Sequence, residues 1–284
     1  MRGIIPFACL LIPLFAFADF ICGDAFRSFA DFVFDGNPED FQLKEMEQGS
    51  IVFVKTDDLE TFYTHVHKRI IKPYVLITHN SHLSAPGPFI PLLNSPKLMA
   101  WFACNVTLSH KKLIPIPCGI SNPSDPHGDP STFESIEKNG PKSIPLYMNF
   151  SSWKCPEERE PLYALFASQS FCYAPGGRSL SDYLTDITQS EFVLCPRGQG
   201  LDGTRRWETL AMGSFPILKH SSLDPLFEDL PVLIVDDWSE ITQASLRHHF
   251  KIMSESPYNL EKLTCKYWRN VLEHVLEVES KLDR

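Results

Sequence analysis

The sequence predicts two α/β units in tandem, facing each other across a cleft, and three observations support this. Strand-like apolar runs alternate with helical stretches over most of the 284 residues, as in a parallel sheet flanked by helices. Residues 121–143 (SNPSDPHGDPSTFESIEKNGPKS) are rich in Pro, Ser, Gly and Asp and show no apolar periodicity, so they read as a linker or long surface loop. No internal repeat or low-complexity tract competes with that division.

The chain opens MRGIIPFACLLIPLFAFADF. Arg2 precedes an apolar run that ends in Ala16-Phe17-Ala18 before Asp19, the layout of a secretory signal peptide with a small-x-small cleavage site. The competing reading is an uncleaved anchor. Against it, the run falls short of the ~20 residues that a spanning helix needs, and Pro6 and Pro13 interrupt it. The expected organisation is a signal peptide or short anchor over 1–18, an N-terminal unit over 19–140 and a C-terminal unit over 144–284, with the linker at 121–143.

In the first unit the apolar runs 51–55, 74–78 and 113–117 read as strands, and 59–70 and 95–103 as helices. In the second, strands are expected at 144–150, 192–195, 215–218 and 231–235, and helices at 157–167, 180–188 and 204–212. The apolar residues Leu260, Leu263, Tyr267, Val271 and Val275 form a helical stripe near the end. No stretch after the leader is long and apolar enough to span a bilayer, so any membrane association would run through the N-terminal segment.

The formal charge is −9, and losing Arg2 with the leader makes it more acidic. That balance argues against broad nucleic-acid binding while permitting a local basic pocket. Of the eight cysteines, Cys9 lies in the leader and Cys22 just after the proposed cut. If the compartment is oxidising, Cys155 with Cys172 is the most plausible local bridge. Cys104, Cys118 and Cys195 sit in apolar runs and read as buried thiols. With no CxxC pair or close Cys/His cluster, no structural zinc site is expected. Two sequons occur, at Asn105 and Asn149.

Residues 192–218, FVLCPRGQGLDGTRRWETLAMGSFPIL, concentrate the chemistry. An apolar run breaks into a loop holding Gly198, Gly200 and Gly203, and a helical stretch then opens with Arg205, Arg206 and Glu208. Glycines let backbone approach a ligand closely, and a helix N-terminus offers free N–H groups and partial positive charge. Arginine there suits a diphosphate, and a carboxylate one turn on suits a sugar hydroxyl. The loop is neither GxGxxG nor a Walker A sequence, and the alternative is an ordinary βαβ turn with surface arginines. Arg205 and Glu208, at i and i+3, share a helix face, whereas Arg205 and Arg206 diverge by about 100°. Asp202 reads either as a donor-binding residue or as the cap of that helix.

The stretches SEFVLCPRGQGLDGTRRWETLAMGSFPIL and LDPLFEDLPVLIVDDWSEIT resemble the exostosin-like glycosyltransferases, and YVLITHNSH and KKLIPIPCGISN in the first half are similar to members of the same family. The resemblance runs over most of residues 50–245. It implies a GT-B fold of two Rossmann-like domains, the N-terminal one on the acceptor side and the C-terminal one binding the nucleotide sugar. It also implies transfer of a sugar from a nucleoside diphosphate sugar to an acceptor hydroxyl, on a glycan or glycoprotein. By position, Arg205 would contact the diphosphate and Glu208 the ribose hydroxyls, with Gly198 and Gly200 passing close to the donor and Arg197 a further phosphate candidate.

Acceptor activation needs a general base. His79, at the end of the strand 74–78, is the first candidate and His82 the second; the plainer role for His79 and Asn80 is bonding backbone across a turn. Asp236-Asp237 lacks the spacing that sends both carboxylates of a DxD motif to one side of an extended segment, so it reads as a strand-end cap and no metal or other cofactor is expected. The other function class left open is a non-catalytic carbohydrate-binding or scaffold protein that kept the fold. In a eukaryotic host the leader would place the enzyme in the lumen of the secretory pathway. In a bacterium it would mean an exported or membrane-anchored protein.

Overall fold

Two parallel sheets of five strands each carry the fold. The computed structural model of the chain describes residues 16–138 and 140–282. The first sheet comprises β1 (Phe32–Phe34), β2 (Ser50–Lys55), β3 (Tyr74–His79), β4 (Leu98–Ala103) and β5 (Leu113–Pro115), side by side in chain order. The second comprises β6 (Ile144–Tyr147), β7 (Cys172–Tyr173), β8 (Ser190–Leu194), β9 (Phe215–Lys219) and β10 (Leu233–Val235), in the order β10-β9-β8-β6-β7. This is the expected arrangement of two α/β units in tandem. The proposed leader lies outside the described residues except for 16–18, where Phe17 is buried against Phe133, ring centroids 5.1 Å apart.

The central strands are apolar throughout because helices and loops cover both faces of a parallel sheet. Every residue of β3 and β4 is buried, and the one indole N–H in β4, that of Trp101, donates to Thr78 Oγ1 of β3 at 2.8 Å. The helix expected over 95–103 is therefore wrong: LMAWFA is an unbroken apolar run with no 3.6-residue gap, and a strand covered on both sides uses it fully.

Helices fill the connections: α1 (Gly23–Ser28), α2 (Leu59–Thr61), α3 (Ile90–Leu93), α4 (Pro130–Ser135), α5 (Pro156–Phe166), α6 (Leu180–Thr188), α7 (Thr204–Ala211), α8 (Gln243–Met253) and α9 (Cys265–Leu282). The expected helix over 59–70 is α2 extended by a π turn and a 3-10 turn to Arg69. The linker is partly ordered, since α4 lies inside it. Asp129 caps α4 by accepting from the backbone N–H groups of Ser131 and Thr132, and Phe133 is buried. Among the described residues no helix is long and apolar enough to cross a membrane.

Two expectations about long-range organisation need correction. The last helix, assigned with 144–284 to the second unit, packs on the first. Trp268 meets Phe26 of α1 (6.1 Å between centroids), the Arg269 guanidinium lies over Phe29 at 4.5 Å, and Ile21 N–H donates to Leu263 O at 2.9 Å. The stripe that predicts the helix is correct; the surface it covers depends on tertiary packing, which periodicity does not encode. The expected Cys155–Cys172 bridge is absent, and all seven described cysteines are free thiols. Cys155 opens α5 and its thiol donates to Glu157 Oε1 at 3.0 Å, while Cys172 sits in β7.

A titratable group inside the first unit makes stability pH-dependent. His67 is buried, its Nδ1 lies 2.9 Å from Tyr74 Oη, and its ring stacks on Tyr63. Burial, helped by the nearby Lys97 charge, pushes its pKa down to about 4. A histidine whose folded pKa lies below the unfolded value near 6.5 stabilises the fold fully above that pH, and loses the contribution as pH falls toward about 4. The expected loss is at most about 3 kcal/mol. Urea midpoints measured from pH 7.5 to 4.5 should fall less steeply in His67→Gln than in the wild type; parallel curves would refute this.

Candidate active site at the switch point of the second sheet

The strand order places a crevice. The chain leaves β6 for β7 on one side, then returns past β6 to build β8, β9 and β10 on the other. Loops at the carboxyl ends of the two strands flanking such a reversal diverge, and ligands of open parallel sheets sit between them. The first sheet has no reversal and hence no such point.

A cleft of about 490 Å³ lies where this rule puts it. The loop after β6 contributes Asn149, Phe150, Ser151 and Lys154, and the loop before α6 contributes Gly177 and Arg178. After β8, Cys195, Pro196, Gly198, Gln199, Gly200, Asp202 and Gly203 line it together with the first turns of α7, and His82, Ser121 and His127 reach in from the first unit.

The structure brings Arg205 and Glu208 into this cleft together. No side chain caps α7, whose N-cap is Gly203, so the first-turn N–H groups keep their capacity for an anion. The Arg205 guanidinium lies between Phe150 (5.7 Å) and Tyr183 (5.8 Å). Its Nε is buried with no hydrogen-bond partner among the described residues. Buried polar groups in folded proteins are nearly always paired, so an unpaired guanidinium nitrogen beside an open cleft marks a place for an acceptor from outside.

Glu208 is buried and bridges the two units. Its Oε1 accepts from Ser121 Oγ at 3.1 Å and its Oε2 from Tyr183 Oη at 2.8 Å. A carboxylate has about four lone-pair sites, which leaves it capacity for further hydroxyl donors.

Other expected site residues are placed differently. Arg206 is buried away from Arg205: it pairs with Asp202 (Nε to Oδ1, 3.2 Å) and donates to Leu201 O at 2.9 Å. Asp202 neither caps α7 nor offers a free face to a donor. Its carboxylate accepts from Cys118 N–H (2.8 Å), Gly203 N–H (2.8 Å) and Trp207 Nε1 (3.0 Å) as well as Arg206. Its own N–H donates to Asn105 Oδ1 at 2.7 Å. Because Cys118 and Asn105 belong to the first unit, Asp202 acts as a latch between the two. The Asn105 sequon is buried in that latch.

Gly200 is needed for the same contact: a Cβ there would stand 2.9 Å from Asn105 Oδ1, against protein and not against ligand. Gly198 lines the cleft, where a Cβ would lie 3.2 Å from Arg159 Nη2.

Arg197 is exposed and its side chain does not line the cleft. Its backbone instead positions a second arginine that sequence reasoning missed. Arg159 on α5 donates through Nε to Arg197 O and through Nη1 to Ser151 O, both at 2.8 Å. That leaves Nη2 beside Gly198, with the guanidinium 5.4 Å from the Phe150 ring. Arg159 and Arg205 thus both lie against Phe150, and burial together with the Arg205 charge pushes the Arg159 pKa down. A signal for it existed: Arg159, Leu162 and Phe166 form the buried face of α5, and an arginine within an apolar stripe needs a polar purpose.

His79 is not a base for this site. It is buried outside the cleft and stacks on Phe26 at 5.3 Å. Its Nε2–H donates to Pro117 O at 3.0 Å and its Nδ1 accepts from Asn80 N–H at 2.7 Å. Both nitrogens are occupied, and burial lowers its pKa. The reading that has His79 and Asn80 bonding backbone is the geometry found. The exposed imidazoles His82 and His127 line the cleft instead. His127 was hidden in the linker, which reads as loop. Asp237 caps the turn Trp238–Glu240, as a strand-end residue does.

No protein-family model matches the sequence, and no curated protein matches it. Among solved structures the chain is similar to UDP-GlcNAc 2-epimerase from Methanocaldococcus jannaschii, with 11% identity and a TM-score of 0.38 over 79% of this chain and 77% of that one. It is similar to the GtfA/B complex, with 12% identity and a TM-score of 0.40 over 83% of this chain and 59% of that one. It is also similar to a glycosyltransferase from Rickettsia africae ESF-5, with 13% identity and a TM-score of 0.37 over 82% of this chain and 75% of that one. Likeness of that degree carries no argument about chemistry, and the architecture stands on the two parallel sheets themselves.

Proposed function

We propose that this chain is a glycosyltransferase, of the exostosin-like kind that its 190–240 motif resembles, using a nucleoside diphosphate sugar as donor and a hydroxyl of a glycan or glycoprotein as acceptor. The observation that carries this reading is the Arg159–Phe150–Arg205 arrangement at the switch point, with Arg205 Nε buried and unpartnered. In the reaction the bond from the sugar's anomeric carbon to the diphosphate oxygen breaks, and the electron pair leaves with the diphosphate. A bond forms from the same carbon to the acceptor oxygen, whose proton passes to a base.

Each group has a role in that step. Arg205, Arg159 and the first turn of α7 stabilise the charge growing on the leaving diphosphate. Glu208 accepts from ribose hydroxyls beside its contacts to Ser121 and Tyr183. With His79 occupied, the base role passes to His82 or His127. The donor contacts require no metal, and the compartment we propose is the lumen of the secretory pathway, where such donors are supplied.

Titration calorimetry with UDP and GDP tests the reading, followed by donor-hydrolysis and transfer assays. At least one diphosphate should bind, and transfer should fall by ~10²–10⁴-fold, with diphosphate binding retained, in the variant lacking the histidine that serves, His82→Ala or His127→Ala. Binding of neither diphosphate would refute the reading. Binding without any turnover would favour the non-catalytic carbohydrate-binding alternative.

A further inference from the structure

Residues 61–124 contain no Asp or Glu, although the chain's average of 35 acids in 284 residues would put about eight there. The same window carries six cations, in a chain whose formal charge is −9. All six stand just before strands of the first sheet: Lys68, Arg69 and Lys72 before β3, Lys97 before β4, and Lys111 and Lys112 before β5. These strands are parallel neighbours, so the three entries share one end of the sheet, with about 10 Å between the first and third strands.

Hydrogen bonds tie the entries together. Lys97 Nζ donates to Lys68 O at 3.0 Å, Tyr74 N–H to Lys97 O at 2.8 Å, and Lys112 Nζ to Leu98 O at 2.6 Å. Those carbonyls are neutral, so the ammonium charges stay at this end. The acids that reach it in ion pairs among the described residues are Glu47, on Lys72, and Glu39, on Arg69, which leaves an excess of positive charge. Lys68, Arg69, Lys72 and Lys111 are exposed. Between Arg69 and Lys72 stands Ile71, 89% exposed, while Ile70 beside it is buried. The cleft lies at the other end: His82 and Ser121 follow the carboxyl ends of β3 and β5, about 20 Å away along the six residues of β3.

We propose that this end of the first sheet docks on a bilayer bearing anionic phospholipid, with the cations against the headgroup phosphates and Ile71 inserted at the acyl boundary. Lysines and arginines are drawn to an anionic surface, each multiplying the partition by roughly fivefold. A soluble polyanion engages the cations but has no use for an exposed isoleucine, whereas a bilayer uses both. Docking in this way turns the cleft away from the membrane and leaves it open to its ligands. It adds a route to membranes besides the N-terminal segment, and it does not depend on the glycosyltransferase reading.

Co-sedimentation of the full chain with phosphatidylcholine vesicles, with and without phosphatidylglycerol, provides the measurement. Any binding through the N-terminal apolar segment is common to both, so the readout is the ratio of the two partition coefficients. In the wild type that ratio should be on the order of 10² at low ionic strength, and should fall as salt shortens the screening length. Replacing two of the cations together, Lys68→Gln with Lys111→Gln, should lower it by roughly 10- to 30-fold. Ile71→Ser should weaken binding to the anionic vesicles several-fold, yet leave binding to immobilised polyphosphate within about twofold of wild type. Lys251→Gln, on α8 of the second unit, should leave the ratio unchanged. Melting temperatures and diphosphate binding should match wild type in every variant, because each of these side chains is exposed and outside the cleft. A ratio near one in the wild type, or one that the double lysine variant leaves unchanged, would overturn the docking face. Anionic vesicles bound equally by wild type and Ile71→Ser would overturn it too, by assigning the cations to a soluble polyanion. A wild type that sediments with anionic vesicles but binds neither UDP nor GDP sinks the enzyme reading and leaves the docking face standing.

Discussion

Arg205→Ala is expected to lose transfer activity by ~10²–10³-fold in kcat, the loss that follows removal of one preorganised donor to a developing negative charge. Nucleoside diphosphate binding should weaken by roughly 10- to 100-fold, since a hydrogen bond to a charged group contributes about 1.5–3 kcal/mol. Stability supplies the discriminating half of the prediction. Arg205 Nε has no hydrogen-bond partner among the described residues; two aromatic rings lie beside the guanidinium, and the buried Glu208 carboxylate is near enough to attract its charge. Removing a buried cation whose Nε is unpaired relieves its burial cost but also takes a counter-charge from buried Glu208, so the melting temperature should change little. A structural arginine would behave the other way, with activity falling only as far as folding does. Unchanged kcat in a folded Arg205→Ala enzyme, or a drop in melting temperature that accounts for the lost activity, would remove the residue from the site.

The second unit is the more legible of the two because its function sits where local signals are strong. The run of β8, the glycines after it and the α7 pair Arg205 and Glu208 are all encoded within 27 residues, and the structure puts the pair in the cleft. Arg159 carries only the weak signal of an arginine in an apolar stripe, because its value depends on meeting residues 150 and 205, distant in sequence. In the first unit, a strand-end position and the imidazole's suitability as a base nominated His79, yet a sheet whose strands run in chain order has no reversal to open a crevice there. Trp101 shows the same limit for secondary structure: a six-residue apolar run fits a helix or a doubly covered strand until its partners are known. The loop 117–122 falls in KKLIPIPCGISN, a stretch that carries the family resemblance and no site reading of its own. It proves to be where the second unit grips the first, through Cys118 to Asp202 and Ser121 to Glu208.

That grip predicts the largest stability effect in the chain. Asp202 accepts from four donors in the interior, two of them in α7, one at its N-cap and one in the first unit. Replacing it with alanine leaves the Arg206 guanidinium buried without its counter-charge, and strands the Trp207 indole N–H and the Cys118 amide. Breaking a buried pair by removing one partner costs about 3–5 kcal/mol. For a protein of this size each kcal/mol lowers the melting temperature by roughly 2–4 °C, so a fall on the order of 10 °C is expected. Asp202→Asn keeps the shape but not the charge. Its single amide oxygen cannot serve four donors, and its amide N–H₂ would face Arg206, so the loss should be intermediate. Arg206→Met tests the assignment in a different way. If the pair is structural, adding that substitution to Asp202→Ala should recover part of the loss, because the cation no longer needs a partner. Calorimetric unfolding of the three variants measures this directly. Equal melting temperatures in wild type and Asp202→Ala would mean that the latch contributes nothing to folding. A large loss in Asp202→Ala with diphosphate binding retained would show that Asp202 holds the two walls of the cleft together without touching what binds between them.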